Sequence, residues 1–194
     1  MRKFSSYGPI DQELHYYVPR QELVNFVYQH LLGDNPDNGG HYISVWAPPQ
    51  TGKTWIMLQQ ETQFDVVILP LQHLCSVTDV NRAVQAIAQD LMENLGLENK
   101  TINTLADFYM LFKQGSLSKP LILILDDFDA LPERVIGGLV SVFRTIYLNR
   151  LNQSDKSSAE KDDLLHGLAL IGIRATRQKS TANYADKRID FEVY

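Results

Sequence analysis

Residues 121–125 read Leu-Ile-Leu-Ile-Leu and run directly into Asp126 and Asp127. A strand with five branched apolar residues in a row has no polar face to give to water, so it must be covered on both sides. That requirement points to a mostly parallel sheet with helices packed against it. Other segments fit the same scheme. Tyr42 to Ala47 (YISVWA), residues 65–71 (DVVILPL) and residues 167–173 (GLALIGI) are short apolar runs that read as buried strands, and the C-terminal RIDFEVY begins one more.

Helical spacing fills the intervals. Pro19 opens a helix whose apolar positions Leu23, Val24, Val27, Leu31 and Leu32 keep a common face until Gly33 stops it. Val80, Val84, Ile87, Leu91 and Leu95 mark a long amphipathic helix closed by Gly96. Further helices are predicted over Leu105 to Phe112 and from about Pro132 to Leu151. The turn formers of residues 33–40 (GDNPDNGG) predict an exposed loop, and the Ser-rich residues 152–163 (NQSDKSSAEKDD) a mobile loop or crossover. Strands alternating with helices give an α/β sandwich, with residues 1–18 as a leading arm and 19–194 as one domain.

Chemistry enters where YISVWA gives way to Pro48-Pro49-Gln50-Thr51-Gly52-Lys53-Thr54, with a helix predicted from Lys53 to about Thr62. In a strand–loop–helix unit, backbone N–H groups and the helix dipole face an anion. Gly52 admits a phosphate close to the backbone, Lys53 supplies a compact positive charge, and Thr54 offers a hydroxyl to Mg²⁺. The bland alternative is a turn and helix start that happen to contain a lysine. The usual pattern begins with Gly where this chain has Ala47, and Pro48 and Pro49 remove two donors.

Two carboxylates closing the LILIL strand are the second motif. Ligands of open α/β sheets bind beyond the carboxyl ends of the strands, so both motifs would converge at one edge. Asp126 is placed to steady Mg²⁺ and Asp127 to orient and deprotonate a water. The alternative is that they end the strand and cap the next helix, and Asp129 is read as structural near that helix. Arg174, just past GLALIGI, is placed to sense a γ-phosphate. A surface arginine in an ion pair is the competing reading, and Arg177 stands beside it as a substitute.

Taken in this order, the motifs resemble the additional-strand P-loop ATPases, and within them the bacterial AAA-like ATPases allied to the STAND signalling NTPases. The resemblance is carried by Tyr17-Val18-Pro19-Arg20, PPQTGKT, DVVILPLQHL, LILILDDFD and LALIGIRATR, over residues 15–177. It implies a three-layer α/β/α sandwich around a mostly parallel five-stranded P-loop sheet in the order 5-1-4-3-2, with YISVWA as strand 1. It implies ATP or ADP with Mg²⁺ as cofactors, held by Ala47, Pro48, Pro49, Gln50, Thr51, Gly52, Lys53 and Thr54, with Pro19 and Arg20 near the adenine. Thr54 and Asp126 would serve the metal, and Asp127 and Arg174 the reaction. Two departures stand out. The second acid is Asp127 where many relatives carry Glu, a form that resembles the slower STAND switches, and the sequence stops at Tyr194 before the helical lid such relatives carry. An arginine finger would be Arg144, Arg150 or a residue of a partner.

Composition narrows the field. Eighteen basic against 23 acidic residues leave a formal charge of −5, which disfavours binding of nucleic acid through bulk charge. The basic cluster Arg174, Arg177, Lys179, Lys187 and Arg188, with Tyr184 among it, reads more readily as a solvated loop than as a nucleic-acid contact. GTP would need an Asn-Lys-x-Asp motif, and Asn99-Lys100-Thr101-Ile102 lacks the acid, so ATP is favoured. Histidines 15, 30, 41, 73 and 166 have no zinc spacing, and His73 and His166 are read as surface or strand-end residues. Cys75, the one cysteine, excludes an internal disulfide and is expected as a buried structural thiol. With no run of about 20 apolar residues and no signal-peptide pattern, a cytoplasmic location without membrane contact is expected. The expected partners are the nucleotide and a protein, either a target or a second copy. Two functions remain: an ATP hydrolase that drives a partner, and a non-catalytic nucleotide-binding switch.

Overall fold

The computed structural model describes residues 21–46, 63–98, 100–172 and 190–193, without the side chains of 21, 23, 24 and 190–193. Its centre is β3 (Leu121–Asp126), buried along its whole length. Alternation sorts its side chains between two cores. Leu121, Leu123 and Leu125 join one, and Ile122 and Ile124 join the other. The first core is closed by α2 (Val80–Leu95), α3 (Leu105–Met110) and α4 (Glu133–Leu151). The second is closed by Val27 and Leu31 of α1 (Gln21–Leu32). At about 1.5–3 kcal/mol per buried side chain, these five residues contribute on the order of 10 kcal/mol through burial.

β1 (Tyr42–Trp46), β2 (Asp65–Pro70) and β4 (Leu165–Gly172) run parallel with β3, so the chain has the α/β class that the apolar runs predict. The strands lie in the order β2-β3-β4-β1-β5, with β5 (Asp190–Val193) pairing antiparallel to β1. Helix ends follow local chemistry. Asp79 caps α2 by accepting from the Arg82 N–H at 2.9 Å, and Gly96 ends it at φ 62°. Thr104 and Asp107 form a reciprocal capping box on α3. With 19 residues, α4 spans about 28 Å and carries the chain back to the sheet edge where β4 begins.

Three expectations need correction. Residues 152–163 are not a free loop: Ser158, Lys161 and Asp163 are buried, because polar partners from α4 and β4 compensate their desolvation. His166 is fully buried inside β4. Its register shows why. Leu121 pairs with Leu165 and Ile122 with Gly167, so His166 is the extra residue of a β-bulge that turns its side chain toward α1. Cys75 is exposed, because it follows the one-turn helix Gln72–Leu74, in which Leu74 takes the buried place.

Candidate functional site

The four parallel strands end at one edge, in Trp46, Pro70, Asp126 and Gly172. Trp46 pairs with Gly172 and Pro70 with Asp126, and Leu125 pairs with Leu170 just before the ends of β3 and β4. This is the edge at which open parallel sheets hold ligands. Asp126 is only 8% exposed, and its Oδ1 accepts from the Asp127 N–H at 3.0 Å. Asp127 has φ 54°, the one positive φ outside glycine among the described residues. Aspartate tolerates that left-handed conformation better than most side chains. It reverses the chain into the short turn Phe128–Ala130, pinned by the Ala130 N–H on the Asp127 carbonyl at 2.9 Å and by the buried Phe128 ring.

The turn separates the acids. Asp126 stays at the strand end, whereas Asp129 is brought over the end of β4, its Oδ1 2.7 Å from where a Cβ on Gly172 would stand. Neither Asp126 nor Asp127 caps the following helix, since α4 starts behind Pro132 with no side-chain cap. A small recess between the ends of β1 and β4 is lined by Ser44, Trp46, Phe128, Asp129, Leu170 and Gly172. The Trp46 indole N–H is buried and has no hydrogen-bond partner among the described residues.

Of the sequence-predicted site, Asp126 and Asp127 are therefore at the expected edge. Pro19, Arg20, Ala47, Pro48, Pro49, Gln50, Thr51, Gly52, Lys53, Thr54, Arg174 and Arg177 lie outside the described residues. Trp46 and Gly172, the last described residues before two of those segments, are paired neighbours. A carboxylate at the end of a buried strand is a hard oxygen donor of the kind Mg²⁺ takes. Among the described residues, no group of three or more His, Cys, Asp or Glu side chains is close enough to hold a metal. No helix among them is long and apolar enough to cross a membrane.

The arginine-finger assignment divides. Arg144 is exposed on α4. Arg150 is 4% exposed and is bonded to the Asp163 carbonyl and to Ser158 Oγ at 2.7 Å. It sits where β4 begins, about 20 Å along that strand from the acids, so it does not serve a phosphate at their edge. It belongs instead to a polar cluster that motif reading missed. Ser158 Oγ lies 2.6 Å from His166 Nδ1, and His166 Nε2 lies 3.0 Å from the Leu32 carbonyl. A carbonyl only accepts, so Nε2 carries the proton and Nδ1 accepts from the Ser158 hydroxyl. Lys161 donates to the Arg150 carbonyl at 3.1 Å, and Lys113 pairs with Asp163 at 3.1 Å.

Burial holds the His166 pKa down at about 4; the Leu32 carbonyl opposes this, while Arg150, Lys161 and His41 add to it. Burial likewise lowers the Lys161 pKa, with Arg150 adding to the effect. The available signal was a histidine inside the apolar run Leu164–Gly172, because a polar group in such a run needs a buried partner. No family model matches the chain, and no curated protein matches it.

Proposed function

We propose that this chain is an ATP-binding P-loop domain of the AAA-like/STAND type that hydrolyses ATP slowly with Mg²⁺ to drive or gate a protein partner. The observation that carries the proposal is the ending of β3 in Asp126, with Asp127 next in the chain, at the edge where β1 ends and the sequence continues into the Pro48–Thr54 motif. The strand order, read from the β5 edge as 5-1-4-3-2, and helices on both faces support a three-layer P-loop architecture.

In this reading Lys53 and the loop amides bind the phosphates of ATP or ADP, and Pro19 and Arg20 lie by the adenine. Thr54 and Asp126 would hold Mg²⁺, which when bound neutralises phosphate charge. Asp127 orients water, and Arg174 contacts the γ-phosphate. The shorter second acid at Asp127 favours a slow enzyme and keeps the non-catalytic switch as the alternative. A cytoplasmic site of action, with a protein target or a second copy as partner, completes the proposal.

The test is equilibrium binding of ATP and ADP with Mg²⁺, together with phosphate release, for wild type, Lys53→Ala and Asp127→Asn. Binding lost in Lys53→Ala and phosphate release lost in both variants would support the hydrolase. Lys53-dependent binding without phosphate release leaves the switch. If wild type binds neither nucleotide, both readings fall.

A further inference from the structure

The third acid of the LILILDDFD motif has a place that neither strand-end acid has. Asp127 turns the chain with its positive φ, Phe128 anchors the turn in the core, and Asp129 is swung back across the sheet onto Gly172. A Cβ at Gly172 would stand 2.7 Å from Asp129 Oδ1 and 2.9 Å from its Cγ, so this approach requires glycine there. Both residues line the recess that also takes in Trp46 at the end of β1. Among the described residues, the buried indole N–H of Trp46 at this corner has no hydrogen-bond partner. Asp129 thus spans from the β3 turn to the strand that leads, two residues later, to Arg174.

We infer that Asp129 is a positioning residue of this edge: seated on Gly172, it sets the end of β4 and thereby the discrimination between a nucleoside triphosphate and a diphosphate. The inference rests on the P-loop reading proposed above. Asp126 and Asp127 act on metal and water in that reading, whereas Asp129 acts through the backbone of β4. Its effect falls on the γ-phosphate and leaves the α- and β-phosphates to the loop after β1.

The experiment measures Kd for ATP and for ADP, each with Mg²⁺, in wild type, Asp129→Ala, Asp129→Asn, Gly172→Ala and the Asp129→Ala/Gly172→Ala double variant. Thermal unfolding of each confirms that it folds. Gly172→Ala displaces the carboxylate without changing its chemistry, and Asp129→Ala removes it while adding no atom. Both should shift the ADP-to-ATP Kd ratio at least about fivefold while leaving the ADP Kd within about twofold. Asp129→Asn, which keeps the shape, should stay within about twofold of the wild-type ratio.

In the double variant the methyl added at position 172 no longer meets a carboxylate, so the second substitution should add nothing to the first. An unchanged ratio in folded Asp129→Ala and Gly172→Ala would overturn the inference. So would an equal loss of affinity for both nucleotides, which marks a structural residue. Failure of the P-loop reading looks different, because wild type itself would bind neither nucleotide.

Discussion

Acid should unlatch the base of the sheet through His166. Its ring has no exposure, and it joins α1 through the Leu32 carbonyl to residues 152–163 through Ser158. The groups facing it are Arg150 at the end of α4, Lys161 and His41, with the Phe64 ring 4.3 Å away, so among the described residues the charges that act on a proton there are positive. In the folded chain its pKa is depressed from 6.5 to about 4. The unfolded chain therefore binds more protons across that interval. Stability is complete above about pH 6.5 and falls by about 1.4 kcal/mol per unit as the pH drops toward 4, about 3 kcal/mol in total.

Urea unfolding of wild type and His166→Asn at about pH 7.5, 6, 5 and 4 reads this directly. At neutral pH the variant should be less stable by about 1–3 kcal/mol, because the Leu32 carbonyl loses its donor. Asparagine does not titrate, so the gap should close and then reverse as the pH falls. Carboxylates such as Asp107, Glu160 and Asp162, whose pKa values are lowered by hydrogen bonds, also lose their contribution in acid, but they do so in both proteins and cancel in the comparison. A gap that stays constant from neutral pH to about 4 would refute the argument.

Two further substitutions test the local geometry. A methyl on Gly40 would fall on the Leu31 carbonyl oxygen, which is backbone and cannot swing away, so Gly40→Ala should cost about 3 kcal/mol or more in thermal unfolding. Gly137→Ala has open space around it within α4 and should instead gain about 0.5–1 kcal/mol. At Asp127 the φ of 54° predicts that Asn and Gly preserve the melting temperature, whereas Ala costs about 1–2 kcal/mol.

Much of the fold is legible because burial writes itself into composition. Leu121 to Leu125 fits a strand covered on both faces and is one, and Gly96 ends α2 in the conformation that glycine makes inexpensive. The place of Asp126 and Asp127 at the strand end was legible for the same reason, because the apolar run stops where they begin. His166, Lys161 and Asp163 were not. A Ser-rich polar stretch has the composition of a solvated loop, and only partners distant in sequence make its burial affordable.

The sequence by itself determined the α/β class, the four apolar parallel strands and the helices that the structure describes, because each follows from local periodicity and short-range residue chemistry; the helix predicted from Lys53 to about Thr62 lies outside the described residues. The tertiary structure decided which of three neighbouring acids goes where. Asp126, Asp127 and Asp129 are nearly equivalent on paper, and a single left-handed residue sends them to three different places. It also decided that Arg150 is a buried strut and that His166 is a bulged hub, since desolvation and pairing depend on neighbours up to 134 positions away in the chain.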